Sequence, residues 1–441
     1  MLRYLLLRPR NFLVLVLYFL WIIGCVPLDQ ATTNLNTASF PKILQFDNHV
    51  YEENIKTVRL YPIQDSYDDV IQPAVLSIQS QRSLILEFDQ LFGDFQSYYA
   101  RLIHCDANWE KSRLTNSDIL VQFNDFPITE YQYSFGTRTP YVHYEWIVPH
   151  VKRTGNYLIK VYRQGNEADL ILTRRFMVYD NQIQIDAKVS ISQGIVERDF
   201  NQQLDFSIRY PDLNVRNPLE EIHVVIRQNK RWDNALLGLP PTSVKEDLRT
   251  IEYRYFNLEN NFLGGNEFRF FDLRSLNILG QNIASIDRDE NRVDAFIMKD
   301  ELNINRGYGT FQDINGEYVI GNLETDPATI TSDYVFVHFF LESTPRSEAV
   351  FILGALSDWK FNDDYLMTYD NQLNGYTRSV LLKQGWYNYI YYIPDEKDPY
   401  HYEGSYFQTE NLYEVLVYYR PIGALADQLV GYSNIIHNRR P

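Results

Sequence analysis

The 441-residue sequence is poor in cysteine, with only Cys25 and Cys105. If Cys25 is consumed by a modification, as argued below, no intramolecular disulfide can form. Stability must then come from hydrophobic cores without covalent staples. Basic residues are also short: 41 Lys and Arg stand against 57 Asp and Glu, for a formal net charge of -16. So acidic a chain repels phosphate backbones, which argues against a nucleic-acid partner. Only one long uncharged apolar run exists, residues 12–23 (FLVLVLYFLWII). As a helix it rises about 18 Å, well short of the ~30 Å hydrocarbon core, so no spanning helix is expected. No window of a dozen residues carries an apolar stripe at helical spacing, and 214–250 is the least clear stretch.

Chemical motifs are missing too. There is no G-x-S-x-G elbow, no H-E-x-x-H, no C-x-x-C and no glycine-rich phosphate loop. The eight histidines stand far apart, which leaves a zinc site without support. His104-Cys105-Asp106 has the residue types of a nucleophile with its base. On a strand, however, adjacent side chains point to opposite faces, so Cys105 is expected to be a buried core residue. Residues 287–291 (DRDEN) begin like a calcium loop, yet Arg292 stands where the turn glycine belongs and Met298 where the closing Glu belongs. Asp363-Asp364 reads as solvated loop charge. The expectation is therefore no catalytic residue, no metal site and no cofactor.

What is present is aromatic residue and alternation. Phe, Trp and Tyr make up 15% of the chain, including 34 Tyr and 26 Phe, a composition that favours strands. Leu84, Leu86 and Phe88 share one face while Glu87 takes the other. Tyr157, Ile159 and Val161 repeat the pattern, as do Tyr413, Val415, Val417 and Tyr419. An all-β chain of sandwich-like modules follows. The expected divisions are a signal at 1–24, a polar tether at 25–40, a first β-sandwich at 41–180, a middle β-rich domain at 181–325, a polar linker over 322–333, and a C-terminal sandwich with a basic tail at 330–441.

Arg3, Arg8 and Arg10 precede the apolar run, and Ile22-Ile23-Gly24-Cys25 follows it, which resembles the bacterial lipobox. That resemblance implies cleavage before Cys25, lipidation of its thiol and amino group, and attachment to a membrane. Residues 26–33 lack an acidic cluster of the kind associated with surface export. The expected location is therefore the outer membrane, facing the periplasm.

Two further resemblances concern the folded part. HVYEENIKTV (49–58), LILEFD (84–89), YARLIHCDANW (99–109), SFGT (134–137), YVHY (141–144) and GNY (155–157) occur in order. The series resembles the amino-terminal domain of the type IX secretion system plug protein family of Bacteroidetes, and the closing YEVLVYYRP (413–421) also fits it. The resemblance implies a non-enzymatic protein that occludes the periplasmic side of the large outer-membrane translocon β-barrel when the pore is idle. FILGALSDW (351–359), NGY (374–376) and LKQGWYNY (382–389) are similar to the early-set, glycogen-binding module of starch-active enzymes. That likeness implies tandem immunoglobulin-like/early-set β-sandwich domains and marks Trp359, Trp386 and Tyr387 as possible sugar-stacking residues. The alternative function is accordingly a glycan-binding outer-membrane lipoprotein with carbohydrate as its partner.

Overall fold

The computed structural model describes residues 42–63, 66–394 and 398–439. The signal, the tether and Cys25 lie outside the described residues. Strands make up nearly all the regular structure, and the α-helices among the described residues are single turns such as Pro218–Glu221. None is long and apolar enough to cross a membrane.

Six sheets pair into three sandwiches. In the first, one sheet runs in the order His49–Val50, Leu170–Tyr179, Gly155–Arg163, Tyr98–Cys105, Phe126–Ile128, and Val75–Ser77 joins Leu170–Tyr179 in parallel. The facing sheet runs Ile55–Pro62, Leu84–Leu91, Tyr141–Ile147, Glu130–Tyr133. The alternation sets Leu84, Leu86 and Phe88 against Tyr157, Ile159 and Val161 in one core. At about 1.5–3 kcal/mol for each fully buried large side chain, this contact is the main support of the module.

The second sandwich pairs Gln184–Ile191, Asn201–Arg209, Thr250–Tyr253 and Ser243–Lys245 with a sheet ordered Leu236–Leu237, Ile222–Gln228, Asn411–Tyr419, Gln428–His437. Tyr413, Val415, Val417 and Tyr419 enter its core, as their spacing requires. The third consists of Arg269–Asp272, Gly385–Tyr392, Tyr318–Ile320 and Phe351–Leu353 facing a five-stranded sheet centred on Tyr334–Glu342. Phe271, Tyr387 and Tyr389 fill its core against Val335, Val337 and Phe339.

The pairing differs from the consecutive division expected from the sequence. Asn411–Tyr419 pairs in full antiparallel register with Ile222–Gln228 and carries Gln428–His437 on its other side. The end of the chain thus completes the second sandwich, and residues 268–402 form a sandwich inserted within it. The expected basic tail is largely a strand. Arg269–Asp272 and Ile283–Ile297, assigned by sequence to the middle domain, belong to the insert. The expected polar linker is also no free connector. Ser332 and Asp333 are buried; Asp333 accepts hydrogen bonds from the backbone N–H groups of Arg138 and Thr139. Tyr141 donates its hydroxyl to the Ser332 carbonyl at 2.9 Å.

The five-membered path of the first sandwich is covered on both faces, which explains why Gly155–Arg163 is buried almost throughout. On its outer face Cys105, Leu158 and Met177 pack against Val225, Leu416, Tyr418 and Leu429 of the second sandwich. Cys105 is therefore buried as expected, but in this seam between modules and not in the core of the first sandwich.

If residues 268–402 are a true insert, residues 266–404 expressed alone should give a cooperatively unfolding β domain by circular dichroism. A chain ending at 410 loses two strands from one sheet of the second sandwich, and limited proteolysis should then cut it between 183 and 263.

Candidate functional site

The three candidate sugar-stacking residues do not form one platform. Tyr387 is a core residue, stacked on Phe271 and Tyr318 and donating its hydroxyl to the Lys383 carbonyl at 2.5 Å. Trp386 precedes it on the same strand and so faces the other way, lying against Phe270 at 5.4 Å between ring centres. Trp359 sits in a left-handed turn, φ 57°, after Asp358 at φ 53°. One face of its ring is covered by the guanidinium of Arg231, 4.5 Å from the ring centre, and Phe268 meets it edge-on. Gly316 is required beneath it: a Cβ there would come 2.5 Å from the indole.

Trp359 instead lines a cleft of about 560 Å³ where the three sandwiches meet. A loop of the second sandwich, residues 229–233, reaches into this junction. Lys230 pairs with Glu317 at 2.6 Å and donates to the Ile71 carbonyl at 2.5 Å. Arg231, nearly inaccessible to solvent, donates to Asp233 and to the Tyr400 hydroxyl. Trp232 meets Trp109 edge-on at 5.2 Å, and Arg175 and Arg227 lie over these rings. Such cation–aromatic contacts are worth most where water is excluded. The cations of the cleft have carboxylate partners: Arg174 with Asp358, Arg175 and Lys360 with Asp47, Arg227 with Glu414. This arrangement joins modules, and it contains no activated nucleophile.

A second polar cluster lies between the first and third sandwiches. Glu87 and Asp89 project from the non-core face of Leu84–Leu91, as the alternation predicts, but that face is covered. Asp89 takes Lys383 at 2.6 Å, the Tyr334 hydroxyl at 2.7 Å and His143 Nδ1 at 2.6 Å. Burial opposes its ionisation, and the Lys383 ammonium with His143 outweighs that and holds its pKa below the ordinary value. Arg59 binds Glu87 at 2.6 Å. The tertiary partners Lys383, Tyr334 and Arg231 are residues that the sequence analysis missed. The only sequence signal was the pair of charged alternations, Glu87/Asp89 and His143/Glu145, on otherwise apolar strands.

The RLIHCDANW segment ends the strand Tyr98–Cys105 and turns back through Trp109, at φ 66°. Asp106 receives Arg420 at 3.0 Å and the backbone N–H of Asp427, while Asp427 accepts from the Ala107 N–H. The motif therefore fastens the first sandwich to the closing hairpin. His104 contacts the Ser112 hydroxyl and the Thr154 carbonyl, not Cys105. Burial pushes the Cys105 thiol up to about 12, far from a thiolate nucleophile.

A cluster of exposed aromatics lies at the edge of the first sandwich. Glu130–Tyr133 is exposed along its whole length. Tyr131 lies tilted against Phe95 at 4.3 Å and meets Tyr133 edge-on at 6.0 Å. Phe92 and Phe135, each more than two-thirds exposed, flank the nearby turn. Clustered exposed aromatics are the anchors from which protein interfaces draw most of their energy.

Comparison with known proteins bears on this module. Residues 55–180 match the family model described as Type 9 secretion system plug protein 1st domain. A crystal structure of a hypothetical protein from Parabacteroides merdae superposes with a TM-score of 0.83 at 27% identity, covering 90% of this chain and all of that one. No curated protein matches. YARLIHCDANW and most of the series that carries the resemblance lie within the matched residues.

Replacing Lys383 with Met leaves Asp89 buried without its cation. The expected loss is about 3 kcal/mol, read as a lowered urea midpoint, and Asp89→Asn in the same chain should recover part of it. Cys105 should resist thiol reagents in the native protein and react on denaturation, and Cys105→Ala should cost ~1–2 kcal/mol.

Proposed function

We propose that this chain is a non-enzymatic component of the type IX secretion machinery that closes the periplasmic side of the outer-membrane translocon pore while the pore is idle. In this reading a lipid on Cys25 holds it to the outer membrane, facing the periplasm. The observation that carries the proposal is the plug-protein first-domain match over residues 55–180. The interior supports it by its chemistry. The cleft between sandwiches is lined with matched ion pairs and cation–aromatic contacts, which suit a body that must hold its shape. The exposed Phe95, Tyr131 and Tyr133 edge supplies anchors for a protein partner.

Occlusion is a steric act and needs no reacting group. Deleting the gene should leave secreted enzymes chemically intact and make the outer membrane permeable to large solutes, and removing the barrel as well should restore the seal. The barrel should also copurify with the protein from detergent-solubilised outer membrane, less so from a Tyr131→Ala/Tyr133→Ala strain. Normal permeability in the deletion strain, together with polysaccharide binding lost in Trp359→Ala, would replace this reading with the glycan-binding one.

A further inference from the structure

We infer that Glu87, His143 and Glu145 form a binding site for a divalent transition-metal ion of the zinc class. The inference is independent of the secretion reading. Each ligand pair comes from strand geometry. His143 and Glu145 are two residues apart and share a face, and Glu87 lies directly opposite Glu145 in the register of Leu84–Leu91 with Tyr141–Ile147. One nitrogen or oxygen atom from each of the three lies within 4.8 Å of the others.

Two observations separate this group from an ordinary acidic patch. His143 is 3% exposed, and its buried Nε2 makes no well-aligned hydrogen bond, only an ion-pair contact with Glu145. Its other ring nitrogen is fixed by Asp89 at 2.6 Å, the carboxylate–histidine arrangement that orients metal-binding imidazoles and raises their basicity. Nε2 faces Glu145 Oε1 at 3.4 Å. That separation matches the edge of a tetrahedron with metal–ligand bonds of about 2.1 Å.

Glu87, Asp89 and Glu145 gather three carboxylates around Arg59, Lys383 and the His143 ring, which lies between Asp89 and Glu145. One nitrogen with two carboxylates suits zinc; calcium asks for six to eight oxygens. Three protein ligands leave a fourth position open, on the side where the Glu145 side chain is 34% exposed. A proton on Nε2 is the competitor for the same lone pair.

The test uses the full-length, tag-free protein stripped with a chelator and titrated calorimetrically with zinc chloride at mildly alkaline pH. The expected result is binding near one equivalent per chain, with Co²⁺ giving the visible absorption of a four-coordinate site. His143→Gln and Glu145→Gln should each weaken zinc binding by about ten-fold or more. Circular dichroism and melting in chelator check that the variants are folded. Should His143→Gln fail to fold, the partly exposed Glu145→Gln carries the test. Absence of zinc binding by the folded wild-type protein, or an affinity that the folded variants leave unchanged, overturns the site.

Discussion

Asp89 and Lys383 meet at 2.6 Å in a place almost closed to water, one from the first sandwich and the other from the third. Removing two charges from water costs several kcal/mol each, and close pairing with further hydrogen bonds is what offsets it. Asp89 has those bonds from Tyr334 and His143. The rest of the inter-module structure obeys the same constraint. Matched charges recur where modules meet, as with Arg174 and Asp358 or Lys230 and Glu317. Because an unmatched partner would be expensive, relative displacement of the modules is penalised over many contacts at once.

The strands were legible in the sequence because alternation is local. Leu84, Leu86 and Phe88, or Tyr413, Val415 and Val417, announce their buried face with no knowledge of the partner strand. Which strand they pair with is not local information. The register of Asn411–Tyr419 with Ile222–Gln228 joins residues nearly two hundred positions apart, and no composition change marks the insertion. The same limit hid the fate of polar faces. Glu87 is correctly assigned to the side away from the core, but whether that side meets water or Arg59 is decided by the third dimension. Cys105 shows both effects: its burial follows from residue type, its neighbours from topology.

The candidate sugar-stacking residues are set apart in the fold for a related reason. Trp359, Trp386 and Tyr387 were singled out by likeness to a sugar-binding module, yet a stacking platform is a property of faces and not of residue types. Adjacent strand positions cannot share a face, and Tyr387 is committed to the core. Trp359 is engaged by Arg231, a residue from another module with no mark in its local sequence. Conversely, known zinc motifs have helical or knuckle spacing. The proposed ligands His143 and Glu145, two apart on one strand, and Glu87 on its neighbour leave only the inconspicuous strings HYE and EFD, whose meaning depends on register.

The insertion has a mechanical consequence. Residues 268–402 leave the second sandwich after Asn261–Leu263 and return at Asn411–Tyr419, so both connections of the insert are anchored in the same module. A domain tethered at two points cannot swing about a single hinge, and here it is also clamped to the first sandwich through Asp89, Asp333 and Asp358. The loop 229–233 closes the triangle by touching all three. A partner docking on the exposed aromatic edge of the first sandwich therefore engages a body in which binding need not be spent on ordering the modules. For the occluding role proposed above, that pre-ordering is the physical requirement, because a plug that deforms under its partner no longer seals.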